Sequence, residues 1–242
     1  MRATTEVGVV LVHGGSMDSR MWDGLPELLD VPSLAVDLPG RRYRPHDLAT
    51  ITTADFVDSI VSDCATSGFE DIIVLGHSSA GFALPYLPAR EPSIRHLVFV
   101  SCTVARPGER PVDQLKPGLR RRVVEGHEDL MRDTRGATIG GLRPGEPAID
   151  TGLRIVENVG ATRLFDAPRP AFEPAAWAPL PPTVKRTVVI ALEDPVVPPE
   201  RARHMASYLE PVDYLEVEGG HDPTPYFGAL AGLLNRLAHE AH

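Results

Sequence analysis

Long apolar runs are missing from this 242-residue sequence, and none approaches the roughly 20 residues a membrane-spanning helix needs. Cysteine is nearly absent. Cys64 and Cys102 have neither the number nor the setting of a disulfide framework. The histidines His46, His127, His204, His239 and His242 stand without partners at metal-ligand spacing, so no metal is expected, and no cofactor. Lysine occurs only at Lys116 and Lys185, arginine supplying the other cations. The net charge is -9, which argues against nucleic acid or an anionic membrane surface as a partner. The first twelve residues lack the basic stretch and separate apolar stretch of a secretory signal, so a cytoplasmic protein is the expectation. A monomer and a homodimer are both open.

A content of 43% hydrophobic and 24% charged residues suits a globular chain able to bury a large core. Six apolar runs read as strands: residues 7–12, 33–38, 72–75, 96–101, 187–192 and 214–217. Their near-continuous Val, Ile and Leu content is that of a parallel sheet covered on both faces. Between them, residues 22–29, 54–66, 79–87, 199–209 and 225–239 carry apolar residues at helical spacing, as at Phe56, Ile60, Val61 and Cys64. Pro199 suits the first position of a helix. The alternation predicts an α/β fold, a mostly parallel sheet with helices on both faces. It breaks at residues 103–185, rich in Arg, Pro and Gly. A structureless loop of that length is improbable. A small helical cap is expected there, inserted into a core made of residues 1–102 and 186–242, with amphipathic pieces near 112–124 and 152–159.

The strongest local signal is Gly76-His77-Ser78-Ser79-Ala80-Gly81, directly after Ile72-Ile73-Val74-Leu75. A buried strand entering a small-residue turn around a central Ser is the pattern of a nucleophile elbow. It projects the Ser78 hydroxyl from the strand tip, with the following helix N-terminus facing the same point. Ser79 is the weaker nucleophile candidate, because bulky His77 would then stand two residues before it. Acyl transfer also needs a base, an acid to orient it and N–H donors for the oxyanion. His221, in Gly219-Gly220-His221-Asp222-Pro223, follows the last strand. Asp194, in Leu192-Glu193-Asp194-Pro195, follows the fifth. Both lie where open α/β sheets build their sites. The loop His13-Gly14-Gly15-Ser16 follows the first strand, and its glycines permit close backbone approach. The N–H groups of Gly15 and Ser79 are the expected oxyanion hole. His13 reads as a structural residue beneath that loop, and His77 as a packed one. Asp37, in Asp-Leu-Pro-Gly, reads as part of a turn. Cys102 reads as a small core residue, and Arg120 to Arg122 as a solvated helix face.

These pieces resemble the α/β-hydrolase superfamily over nearly the whole chain. With Trp22, Val36-Asp37-Leu38-Pro39-Gly40, Leu97-Val98-Phe99-Val100 and Asp194-Pro195-Val196-Val197-Pro198 added, the sequence is similar to small capped serine esterases of the methylesterase and hydroxynitrile lyase group. Ala80 departs from the Gly-x-Ser-x-Gly pattern. The family's leading antiparallel strands have no counterpart before residue 7. Hydroxynitrile lyases of this group carry a Lys beside the catalytic His and a Thr after the His of the oxyanion loop. Asp222 and Gly14 stand there, favouring ester hydrolysis. Dehalogenase and epoxide hydrolase branches need Asp at the position of Ser78. The resemblance implies a serine hydrolase with a Ser78-His221-Asp194 catalytic triad, cleaving a carboxylic ester or related acyl bond. The alternative is a biosynthetic lyase or cyclase on the same scaffold, with His221 as base. A ligand-binding protein on an inactive scaffold is disfavoured, since no triad position is lost. Ser16, Met17, Phe82, Leu142, Phe165, Phe172 and Trp177 are candidate substrate-binding residues.

Overall fold

The computed structural model describes residues 6–42, 44, 46–125 and 166–240. Each of the six apolar runs is a strand: β1 (Val7–Val12), β2 (Ser33–Val36), β3 (Asp71–His77), β4 (Ile94–Val100), β5 (Lys185–Ala191) and β6 (Asp213–Val217). They pair in parallel throughout, in the order β2-β1-β3-β4-β5-β6. The chain starts inside the sheet, goes out to one edge at β2, crosses back to β3, and then runs to the other edge. The reversal makes β1 and β3 neighbours, with Val12 opposite Gly76. Loops leaving those two strands therefore meet at the switch point, where open sheets leave a crevice.

Strand alternation divides the core into two layers. Val10, Val12, Ile72, Val74, Leu97, Phe99, Val188 and Ile190 face one layer. Val9, Leu11, Ile73, Leu75, Val98, Val100, Val189 and Ala191 face the other. One irregularity between β3 and β4 pairs Ile72 with Ile94 but Ile73 with His96. It leaves Arg95 exposed, with Ile94 and Leu97 in the same layer.

The helices are α1 (Thr53–Thr66), α2 (Pro117–Glu125), α3 (Arg169–Phe172), α4 (Pro199–Ala206) and α5 (Phe227–Glu240). Helix α1 begins with a capping box in which Thr52 and Asp55 satisfy each other's backbone N–H. It packs Phe56, Val57, Ile60 and Cys64 into the first layer. Helix α5 packs Leu230, Leu233 and Leu234 into the second.

Two expected helices are shorter and tighter than their periodicity implies. Residues 22–29 fall across two 3-10 turns, Ser19–Trp22 and Pro26–Leu28. Residues 79–87 fall across two more, Ser78–Phe82 and Leu84–Ala89. Pro26, Pro85 and Pro88 lack the N–H that an α-helix interior would use, so the chain closes short turns instead.

Between β4 and β5, a 3-10 turn (Pro111–Gln114), α2 and α3 fall among the described residues. Leu142 and Phe165, and the amphipathic piece near 152–159, lie outside them. The returning chain docks on the core by apolar contacts, Ala167 and Trp177 joining the first layer, and by polar ones. Glu173 accepts from the first-turn N–H of Thr53 at 2.9 Å, and the Ala176 N–H donates to the Tyr86 hydroxyl at 2.7 Å. No helix among the described residues is long and apolar enough to cross a membrane.

Candidate active site

Ser78 directly follows β3 at φ +52, in the left-handed region that non-glycine residues rarely occupy. Its neighbours make that turn possible. A Cβ on Gly76 would stand 2.9 Å from the Ala80 Cβ, so a methyl is tolerated at 80 because position 76 has none. A Cβ on Gly81 would stand 2.5 Å from the Thr103 carbonyl oxygen. That close approach lets the Thr103 N–H donate to the Ser78 carbonyl at 3.0 Å, bracing the turn against the segment after β4. The helix expected to aim its dipole at Ser78 is a five-residue 3-10 turn, so what it offers an anion is local N–H groups.

The loops after β5 and β6 reach back across the sheet to this point. The Leu192 N–H donates to Val217 and the Glu193 N–H to Gly219, both at 2.9 Å, locking the two loops together. His221 Nε2 lies 3.0 Å from Ser78 Oγ, and His221 Nδ1 lies 2.8 Å from Asp194 Oδ2. A ring nitrogen facing a carboxylate carries the proton. Nδ1 therefore donates to Asp194, and Nε2 is left to accept from the serine hydroxyl. Asp194 Oδ1 accepts from the N–H groups of Val196 and Val197 at 2.7 and 2.9 Å. Burial alone would raise the Asp194 carboxyl. The hydrogen bond and charge of His221 and the Val197 N–H outweigh it and hold the group below its ordinary value.

Two further histidines frame the arrangement, and both stay neutral. His13 donates from Nδ1 to the Gly14 carbonyl at 2.8 Å and accepts the Leu38 N–H on Nε2 at 3.1 Å, fixing the loop after β1 from beneath. Burial first, and the Arg41 charge second, lower its pKa to about 4. His77 donates from Nε2 to the His221 carbonyl at 2.8 Å, its ring centroid 4.7 Å from that of His221. Burial, then the nearby His221, lower its pKa to about 3. His77 thus pins the loop after β6 to the strand that carries Ser78. Trp22 meets the His77 ring edge-on at 6.4 Å from behind.

The other candidates fall in different settings. Gly15 stands beside the elbow: a Cβ there would lie 3.3 Å from Ser79 Oγ. Ser16, at φ +58, donates its N–H to Asp166 at 2.6 Å. The half-buried Met17 accepts a guanidinium N–H of Arg41 at its carbonyl. Phe82 and Phe172 are half-buried. Trp177 belongs to the first core layer, its indole N–H donating to the Ala105 carbonyl at 2.9 Å. Cys102 is buried, donates to the Gly76 carbonyl at 3.1 Å, and has its thiol pKa pushed up by burial, so it stays a protonated thiol. Arg41 and Asp166, both at this site, carry no local sequence signal. They are 125 residues apart and belong to no motif. No group of His, Cys, Asp and Glu among the described residues could hold a metal ion.

Against known families, residues 9–230 match the alpha/beta hydrolase family. The chain belongs to that family. Among curated proteins, none matches the sequence. Solved structures share the fold at low identity. An extracellular alpha/beta-hydrolase from a Paenibacillus species, described as sharing structural and functional homology with tobacco salicylic acid binding protein 2, is 16% identical with a TM-score of 0.71. The match covers 95% of this chain and 98% of that one. A pyrethroid hydrolase from Sphingobium faniae is 20% identical with a TM-score of 0.67, over 96% of this chain and 98% of that one. A methylesterase from Arabidopsis is 18% identical with a TM-score of 0.64, over 94% and 98% respectively.

Proposed function

We propose that this protein is a serine hydrolase cleaving a carboxylic ester or a related acyl bond. The observation that carries the reading is the chain of two hydrogen bonds, Ser78 Oγ to His221 Nε2 at 3.0 Å and His221 Nδ1 to Asp194 at 2.8 Å. Family membership and the hydrolase and methylesterase names of structurally similar proteins support it.

His221 takes the Ser78 proton as the oxygen attacks the carbonyl carbon. Asp194 keeps the imidazole in the tautomer that can accept, and balances the imidazolium that forms. The N–H groups of Gly15 and Ser79 receive the oxyanion, and loss of one such donor costs roughly two to three orders of magnitude in rate. The imidazolium then protonates the leaving alcohol. Water, deprotonated by the same histidine, releases the acid from Ser78. The substrate is a small molecule, and residues 103–185 act as the cap over its acyl and leaving groups.

Labelling by a serine-directed fluorophosphonate, mapped to peptides, tests this on the wild type, Ser78→Ala and His221→Ala. Fast labelling at Ser78 that needs His221 is expected, with ester turnover lost in both variants. Esterase activity retained by Ser78→Ala would sink the mechanism.

A further inference from the structure

The mechanism leaves one charged cluster unused. Asp166 Oδ1 accepts the Ser16 N–H at 2.6 Å and a guanidinium N–H of Arg41, while Oδ2 accepts the Ser16 hydroxyl at 3.2 Å. Arg41 is 5% exposed. It also donates to the carbonyls of Met17 at 2.9 Å and Gly40 at 3.4 Å. Backbone of the loops after β1 and β2 thus aims the guanidinium at one place. Ser16 sits in a left-handed conformation one residue after Gly15. A Cβ on Gly15 would lie 2.9 Å from Asp166 Oδ2, so the carboxylate rests directly on the Gly15 backbone. An unneutralised carboxylate there would repel a developing oxyanion. The Arg41 guanidinium removes that penalty by pairing with it.

We propose that Ser16 and Arg41 form a carboxylate-binding site on the loop after β1, filled by the protein's own Asp166. Filling it fixes the backbone that aims the Gly15 N–H. This second half rests on the hydrolase reading above; the site itself does not. One backbone N–H, one hydroxyl and one guanidinium converging on a single group match a carboxylate's acceptors and charge. The ligand is held from outside the loop, 150 residues away in sequence, so the loop's shape depends on the segment that joins β4 to β5. The Asp166 side chain is 44% exposed, so a small carboxylate from solution can take its place once it is removed. Asp166 is a positioning residue: it acts on the reaction only through Ser16 and Gly15.

Asp166→Ala removes the built-in carboxylate, and sodium acetate is the probe, with sodium chloride at equal ionic strength as control. Acetate should raise the melting temperature of Asp166→Ala and broaden the signal of 13C-labelled acetate, neither effect appearing in the wild type. Equal binding by both proteins would overturn the site, whatever the enzyme does. For ester turnover, Asp166→Ala should lose about tenfold in kcat with KM within about twofold, a modest misplacement of one donor. Acetate should restore part of that kcat, and a change in KM alone would overturn the positioning role. If Asp166→Ala does not fold, Asp166→Asn carries the test, since it keeps an acceptor for Ser16 without the charge on Arg41. Its kcat should fall several-fold at unchanged KM, and a wild-type kcat would overturn the proposal. A wild type that turns over no ester and takes no fluorophosphonate defeats the hydrolase reading instead, and leaves the acetate binding result standing as the test of the site.

Discussion

Acid should unfold this protein sooner than its carboxylates alone would dictate. His13, His77 and His96 are each less than a tenth exposed. Burial lowers their pKa values from 6.5 to about 4, about 3 and about 4, with Lys185 also acting on His96. Below pH 6.5 the unfolded chain gains a proton at each of these positions and the folded chain does not. Stability therefore falls as pH drops from 6.5 towards 4, by about 1.4 kcal/mol per pH unit for each histidine. At pH 5 that is about 2 kcal/mol each and about 6 kcal/mol together, against a total of roughly 5–15 kcal/mol for a typical domain. Equilibrium urea unfolding at pH 7 and pH 5 measures the loss. His96→Gln supplies the control, because glutamine can still meet the Thr187 hydroxyl that His96 contacts at 2.8 Å, and it does not titrate. The variant should lose about a third less stability between the two pH values. A change of less than about 1 kcal/mol in the wild type, or an equal loss in His96→Gln, would refute the reasoning.

Two more outcomes follow from the site and its supports. Asp194→Asn should keep the fold and lower kcat by roughly three to four orders of magnitude, because an amide does not hold the proton on His221 Nδ1; steady-state ester kinetics beside a circular dichroism spectrum check both halves. Gly81→Ala should destabilise by about 1–3 kcal/mol and slow fluorophosphonate labelling of Ser78, because the new methyl meets backbone at Thr103 that cannot swing away. A wild-type melting temperature in Gly81→Ala would contradict the close approach described for the elbow.

The sheet was legible because burial on both faces writes itself into sequence as unbroken Val, Ile and Leu. Each of the six runs became a strand, with ends shifted by a few residues. Ser78, Asp194 and His221 were legible for a related reason: each follows a strand, and the ends of parallel strands share one edge. The short helices were not. Apolar spacing at 79–87 is helical, but Pro85 and Pro88 outweigh it. The warning was present in the sequence, in residues whose effect is on hydrogen bonding and not on hydropathy. Arg41 and Asp166 were beyond reach, since nothing local marks an arginine as buried or an aspartate as its partner across 125 residues.

The order of strands also sets how much of the sheet has to form before Ser78 and His221 can meet. Ser78 and the histidine it meets are 143 residues apart, and the histidine comes from the loop after the last strand, at the far edge of the sheet. Until the loop after β6 has docked, no His221 ring nitrogen lies beside Ser78 Oγ. The contact therefore depends on β3, β4, β5 and β6 all being in register, and a slip in any of them would part Ser78 from His221.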